Sequence, residues 1–231
     1  MNYYMTDKTL FRLPQDDFIP DLRQNKDIPF LYVCEDYDGA ETVKLTCTQH
    51  SGVSEYQQKQ ITSAWAKFLQ KEQYPMKTVQ FCTRTPKAIF EAICTQQSVT
   101  SLRFKWLAVS DISAIAQMKQ LKALQIELGS SITDLSPIGE LTELETLILG
   151  STVKVTDYSP LGKLKSLKEL VICSYPTRVP GDVMTMESDA FLAQLPNLQY
   201  LDFGDVKIQN QTVLNPANAR RYAFACFRLQ S

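Results

Sequence analysis

The apolar positions of this 231-residue chain recur in short triplets of the form apolar-x-apolar. They fall at Val79–Phe81, Leu102–Phe104, Leu124–Ile126, Leu147–Leu149, Leu170–Ile172 and Leu201–Phe203. Successive first members lie 23, 22, 23, 23 and 31 residues apart. A further apolar residue precedes most triplets by three positions: Val99, Leu121, Leu144, Leu167 and Leu198. The unit is therefore L-x-x-L-x-L, and the alternation inside it predicts a short strand with one face buried. A second series keeps the same register: Asp111, Asp134 and Asp157, then Ser113, Ser136 and Ser159, then Ile115, Ile138 and Leu161, then Met118, Leu141 and Leu164. Pro137 and Pro160 follow two of the serines. Serine before proline predicts a helix start with the serine as N-cap, and apolar residues three apart predict a short helical or 3₁₀ return.

Two stretches carry the pattern almost word for word. Ile132–Leu149 and Val155–Ile172 share the frame [IV]-T-D-x-S-P-[IL]-G-x-L-x-x-L-x-x-L-x-[LI]. A single strand-turn-helix unit cannot bury its leucines alone, whereas stacked units bury them as a ladder. The pattern resembles the leucine-rich repeat family, in its short internalin-like variety with D-L-S-P-L between strand and helix, over about residues 77–208. The resemblance implies an α/β solenoid: a curved parallel sheet, short helices or 3₁₀ segments on the convex side, about six coils, and a cap at each end. It also implies a concave sheet surface that binds other proteins. The family's Asn or Cys after the triplet is replaced here by Gly129, Thr152, Tyr175 and Val206, so other groups must satisfy the backbone in those turns.

Three parts follow: residues 1–76 as an N-terminal capping region, 77–208 as the repeats and 209–231 as a C-terminal cap. In the first, 29–35 and 41–48 read as two strands of a β-hairpin around Asp38-Gly39. Ser54 with Gln57 reads as a capping box for an amphipathic helix over 55–72 that carries Ile61, Trp65, Phe68 and Leu69. In the last, Phe224, Phe227 and Leu229 are expected to face inward.

Side chains between the buried leucines should point to the concave surface. The candidates there are Arg103, Lys105, Gln125, Glu127, Ile148, Val171, Tyr200 and Asp202, with Gln80 at the start. The surface reads as basic at one end, apolar at Ile148 and Val171, and acidic near Glu169, Asp202 and Asp205, which suits a protein partner. Trp106 is a further candidate anchor or, equally, a core residue. The 31-residue step holds an insertion, 174–189, whose Tyr175, Arg178, Met184 and Met186 belong to types that gather in contact patches; a passive loop carries equal weight.

Composition narrows the function classes. Net charge is −1, which favours neither nucleic acid nor an anionic membrane. The first residues show no basic start with an apolar core, and no apolar run approaches the length of a membrane span. A cytoplasmic monomer is the expectation. Six cysteines without a C-x-x-C pair read as reduced thiols. Cys82 and Cys173 are expected on the concave side as small exposed or semi-buried thiols, and the single histidine, His50, as a surface turn residue. The acidic group Glu35, Asp36, Asp38 and Glu41 lacks the spacing of a calcium loop and reads as a solvated turn. Neither a dinucleotide nor a Walker glycine pattern is present. The sequence thus predicts a non-catalytic protein-binding module without metal or cofactor. A specific inhibitor, such as an immunity protein that neutralises a cognate toxin, is the alternative.

Overall fold

The computed structural model describes residues 19, 21–173, 184–204 and 206–214, and the backbone of 225–227. Its main feature is a nine-stranded sheet whose strands follow chain order, interrupted only where a strand of a second, smaller sheet intervenes. The strands are β1 (Phe30–Leu31), β2 (Thr42–Leu45), β3 (Thr78–Thr85), β4 (Ser101–Leu107), β5 (Ala123–Ile126), β6 (Thr146–Gly150), β7 (Glu169–Cys173), β9 (Tyr200–Gly204) and β11 (Ala225–Phe227). Every neighbouring pair is parallel.

The register aligns the leucine pattern across coils. Val43, Val79, Leu102, Leu124, Leu147, Leu170 and Leu201 form one row of partners. Leu45, Phe81, Phe104, Ile126, Leu149, Ile172 and Phe203 form the next inward row. All of them are buried. The Phe81 and Phe104 rings stack at 5.2 Å. Each fully buried leucine contributes about 1.5–3 kcal/mol of transfer free energy, which no single coil can collect on its own.

The returns on the other side of the core are short. α1 (Glu55–Lys71) and α2 (Lys87–Ile93) serve the first coils, and 3₁₀ segments at Ser113–Gln117, Ile138–Glu140, Ser159–Lys163 and Ala190–Gln194 serve the later ones. α1 begins at the expected capping box: Ser54 accepts from the Gln57 amide, and the Gln57 side chain accepts from the Ser54 amide at 2.9 Å. Trp65 and Leu69 are its fully buried residues, while Ile61 and Phe68 are half-buried. At its far end Gln96, wholly buried, donates to the Leu69 and Glu72 carbonyls at 2.5 and 2.7 Å and closes the last turn.

The 3₁₀ segments correct one reading. No N-cap side chain, serine or other, is bonded in them; an aspartate turn leads the chain into three of them instead. Asp111, Asp134 and Asp157 accept from the amides of Ser113, Ser136 and Ser159 at 2.9, 2.8 and 2.8 Å. In the fourth unit Ser188 takes the same place toward Ala190 at 3.2 Å. A carboxylate two residues upstream reaches the amide better than the serine's own hydroxyl reaches forward.

Two further corrections concern the flanks. The expected β-hairpin is absent, because β1 and β2 pair in parallel, Phe30 with Lys44 and Leu31 with Leu45. A 3₁₀ turn at Cys34–Asp36 makes room for the crossover, and the Trp65 indole donates to the Tyr32 carbonyl at 3.0 Å, fixing the connection over α1. The parallel sheet therefore begins well before residue 77. In the insertion, β8 (Met184–Ser188) pairs in parallel with β10 (Val206–Asn210). Met184 and Met186 are fully buried on its inner side and are not contact residues. Phe224, Leu229 and the Phe227 side chain lie outside the described residues.

Where the family's Asn is missing, backbone groups of adjacent coils pair directly. Gly129 N–H donates to Gly150 O and Ser151 N–H to Cys173 O, both at 2.9 Å. The buried Thr152 and Tyr158 hydroxyls meet at 3.1 Å.

Candidate functional site

The sheet face turned away from the leucine core, the one this fold makes concave, carries a central row of partners: Lys44, Gln80, Arg103, Gln125, Ile148, Val171 and Asp202. Strand alternation places them opposite the buried leucines, as the sequence predicts. Their exposure is the surprise. Lys44 is 2% exposed, Gln80 1%, Arg103 5%, Gln125 1% and Ile148 2%. Glu127, on the same face, is also buried.

The cover is the chain itself. A strap made of Ile19 and residues 21–25 crosses this face against the direction of strand order, from β7 back to β2. Ile19 sits in an apolar pocket of Ile148, Val171 and Cys173, bordered by Ala123 and Tyr200. Arg103 donates to its carbonyl at 3.0 Å. Gln80 grips the strap from both ends of its amide, accepting from Leu22 N–H at 2.7 Å and donating to Asp21 at 2.9 Å. At the far end the Lys44 ammonium donates to Asn25 O at 2.9 Å and lies 4.0 Å from the centre of the Phe30 ring. Arg103, Gln125, Glu127 and Ile148 are therefore not open to a partner while the strap is in place.

Four charges meet where the strap lies on the sheet. One oxygen of Glu127 accepts from Arg103 Nε and Arg23 Nη2, each at 2.9 Å. Arg103 Nη2 lies 2.9 Å from the same oxygen and 3.4 Å from Asp21. Arg23 forks onto Asp21, with Nη2 at 2.7 Å and Nε at 2.8 Å. Two guanidinium and two carboxylate groups cancel, so burial is tolerable only while all four are present. Burial alone would raise the Asp21 carboxyl, but hydrogen bonds from Arg23 and Gln80 and the charges of Arg103 and Arg23 outweigh it and hold it well below the usual carboxylate range. Arg23 is correspondingly raised, because its bond to Asp21 and the charges of Glu127 and Asp21 outweigh the loss of solvent.

Magnitudes say which contacts hold the strap. It buries two apolar side chains, Ile19 and Leu22, for about 3–6 kcal/mol together. Ordering Ile19 and residues 21–25 costs about 6–12 kcal/mol of backbone entropy. The apolar grip alone does not close the strap; the polar cluster decides.

The other candidates stand apart from the cluster. Lys105 is exposed, and Trp106 is half-buried with the Arg84 guanidinium 5.4 Å from its ring centre. Tyr200 is half-buried at the rim of the Ile19 pocket, and Asp202 is buried. Tyr175 and Arg178 lie outside the described residues, as does Asp205. Cys82 and Cys173 lie on this face but are buried rather than open. Burial, chiefly, pushes the Cys82 thiol up to about 11. His50 is half-buried, with its ring edge-on to Tyr32 at 5.7 Å. No group of three potential metal ligands occurs among the described residues, and no described helix is long and apolar enough to cross a membrane.

Sequence reasoning missed Ile19, Asp21, Arg23 and Lys44. The single clue was the pair of outward apolar residues, Ile148 and Val171, which require a cover. Nothing local in Ile19–Arg23 says that the cover lies in the same chain.

A stacked parallel sheet with short returns, register-locked leucine rows and a ladder of 3₁₀ segments entered through aspartate turns is the leucine-rich-repeat fold. The sequence matches no family model and no curated protein. Two solved structures similar in fold are internalins of Listeria monocytogenes. Internalin C2 superposes with a TM-score of 0.50 and 18% identity, covering 81% of this chain and 69% of that one. Internalin F does so with a TM-score of 0.51 and 17% identity, covering 83% of this chain and 55% of that one. At such identities the likeness concerns fold alone.

Proposed function

We propose that the protein is a non-catalytic interaction module of the cytoplasm that binds a protein partner across the face of its leucine-rich-repeat sheet turned away from the leucine core. One observation carries this reading: the face already holds a short peptide segment, its own, which lies on it as Ile19 and a 3₁₀ turn at Leu22–Gln24. It does so through the means that peptide recognition uses, namely a side-chain amide on the backbone, a guanidinium on a carbonyl and an apolar pocket for one side chain. The structural likeness to internalins is consistent with this reading and does not carry it.

Lys105 is exposed, and Trp106 and Tyr200 are half-buried, so a partner can reach these three on the native chain. The test is affinity capture from the source cell with the full chain and with a Lys105→Glu/Trp106→Ala/Tyr200→Ala variant of unchanged melting temperature. A partner held by the native chain and lost with the variant supports the reading. A partner held equally by both places the binding surface elsewhere and refutes it.

A further inference from the structure

We propose that this face is a receptor groove for a short segment that presents an apolar residue and, two positions on, an acidic, an apolar and a basic one entering a 3₁₀ turn, and that Ile19–Arg23 is its resident competitor. The proposal rests on the reading above and adds to it the chemistry of the partner and the way access is controlled.

Each part of the pattern has its station. Ile148, Val171 and Cys173 take the apolar side chain. Arg103 takes the carbonyl that follows. Gln80 and Arg103 take the carboxylate, and Gln80 also takes the next amide. Glu127 takes the guanidinium. A cover meant to stay shut is better made of apolar side chains, since a buried ion cluster gains little over an apolar replacement of equal volume. A set of charges that binds a particular segment gives selectivity instead.

The resident segment fits imperfectly. Gln125 is 1% exposed, and its side-chain oxygen has no hydrogen-bond partner. It lies in the central row between Arg103 and Ile148, beneath the strap. A buried acceptor without a donor is costly. A partner segment that brings an N–H or O–H to it has an advantage that the strap lacks. The strap is also joined to the sheet by an exposed turn, Gln24–Asp27, so it can leave without disturbing the leucine core.

Cysteine alkylation reads the strap directly. Cys82 is buried beside Arg23 and Asp21, whereas Cys47 and Cys94 lie in the core. In the full chain, Asp21→Lys sets a lysine against Arg103 and unpairs Gln80, which should raise iodoacetamide labelling of Cys82 at least about tenfold. Labelling of Cys47 and Cys94 should stay unchanged. If it rises too, the variant has lost its fold, and Ile19→Ser replaces it. A fluorescent synthetic peptide with the sequence of residues 17–25 should bind the released variant about tenfold or more tightly than the native chain, because the native chain carries its own competitor. It should also restore protection of Cys82. The same peptide with its aspartate at the Asp21 position changed to lysine should do neither. Failure of Cys82 to open, or equal peptide binding by native and released chains, overturns the proposal. If the peptide fails while capture still depends on Lys105, Trp106 and Tyr200, the competitor assignment falls and the interaction reading stands. If capture fails as well, both fall.

Discussion

Gly139 and Gly162 occupy the same position of the S-P-[IL]-G motif in successive coils, yet their neighbours differ in kind. A Cβ built on Gly139 would stand 2.5 Å from the Pro160 carbonyl oxygen and 3.2 Å from its carbon. A Cβ on Gly162 would stand 2.8 Å from the Gln194 side-chain oxygen. The first obstacle is backbone of the next coil, locked by the 3₁₀ stack; the second is the tip of an exposed side chain that can swing away. Gly139→Ala therefore forces coils apart, at a cost of about 1–3 kcal/mol for overpacking. Against that, alanine restricts the unfolded chain and returns about 0.4–1 kcal/mol. Gly162→Ala keeps this second term with little of the first. We expect Gly139→Ala to destabilise by about 1–2 kcal/mol and Gly162→Ala to be neutral or to stabilise by up to about 1 kcal/mol. Urea unfolding decides it, with midpoints compared at equal slope so that only native-state stability differs. Equal shifts in the two variants, or a larger loss at Gly162, would refute the claim that backbone contact between 3₁₀ turns sets the coil spacing.

Leu147→Ala, at a fully buried position between Leu124 and Leu170, should cost about 2–5 kcal/mol; a chain that folds normally with Asp there would contradict the leucine ladder. Asp189 is wholly buried and accepts from Thr212 N–H and Oγ1, Val213 N–H and Leu214 N–H at 2.6, 2.8, 3.1 and 2.8 Å, so Asp189→Ala should cost at least about 2 kcal/mol in thermal or urea unfolding. Burial alone would raise this carboxyl, but the amides of Thr212, Leu214 and Val213 and the Thr212 hydroxyl outweigh it and lower it, as the strap's partners lower Asp21. A lowered carboxyl stabilises fully above its unfolded value of about 3.9 and loses that contribution as pH falls through the folded value. The gap in melting temperature between the native chain and Asp189→Ala should thus be constant from about pH 5 to 7 and narrow below about pH 4. A gap that widens on acidification would reverse the sign of the argument. By the same sign, the Leu22 amide held by Gln80 should stay protected from hydrogen exchange at pH 5 as at pH 7, and loss of its protection there would show that Asp21 is not held ionised.

Much of the fold was legible because its signal is repeated. The triplets at Leu124, Leu147 and Leu170 each say little, but three copies in register leave few alternatives. The Ser54–Gln57 box fixed one helix end because capping is a local matter of a few atoms. The misreadings occurred where local pattern is silent on direction or distance. Val43, Leu45 and Cys47 alternate identically in a parallel or an antiparallel pair, so only the packing of Trp65 over the crossover separates hairpin from coil. The alternation in Met184-Thr185-Met186 was itself a strand signal, masked by reading methionine as a contact residue. Of the candidate site, strand alternation placed Arg103, Gln125, Glu127 and Ile148 on the right face. Their cover was illegible, since Asp21 and Glu127 are 106 positions apart in the chain and nothing in either neighbourhood refers to the other.

The strap has a consequence for how the molecule melts. In a stack of coils each unit touches only the next, so the end units are free to fray one at a time while the middle holds. Hydrogen bonds and ion pairs from one short segment to Lys44, Gln80, Arg103 and Glu127, with apolar contacts at Ile148 and Val171, tie β2, β3, β4, the end of β5, β6 and β7 to a single tether. Loss of any one of these coils then loosens the tether on the others. A strapped chain should unfold as one cooperative block, and a chain with its strap withdrawn should unravel from the ends, coil by coil. Occupancy of the groove is thereby written into the shape of the unfolding transition.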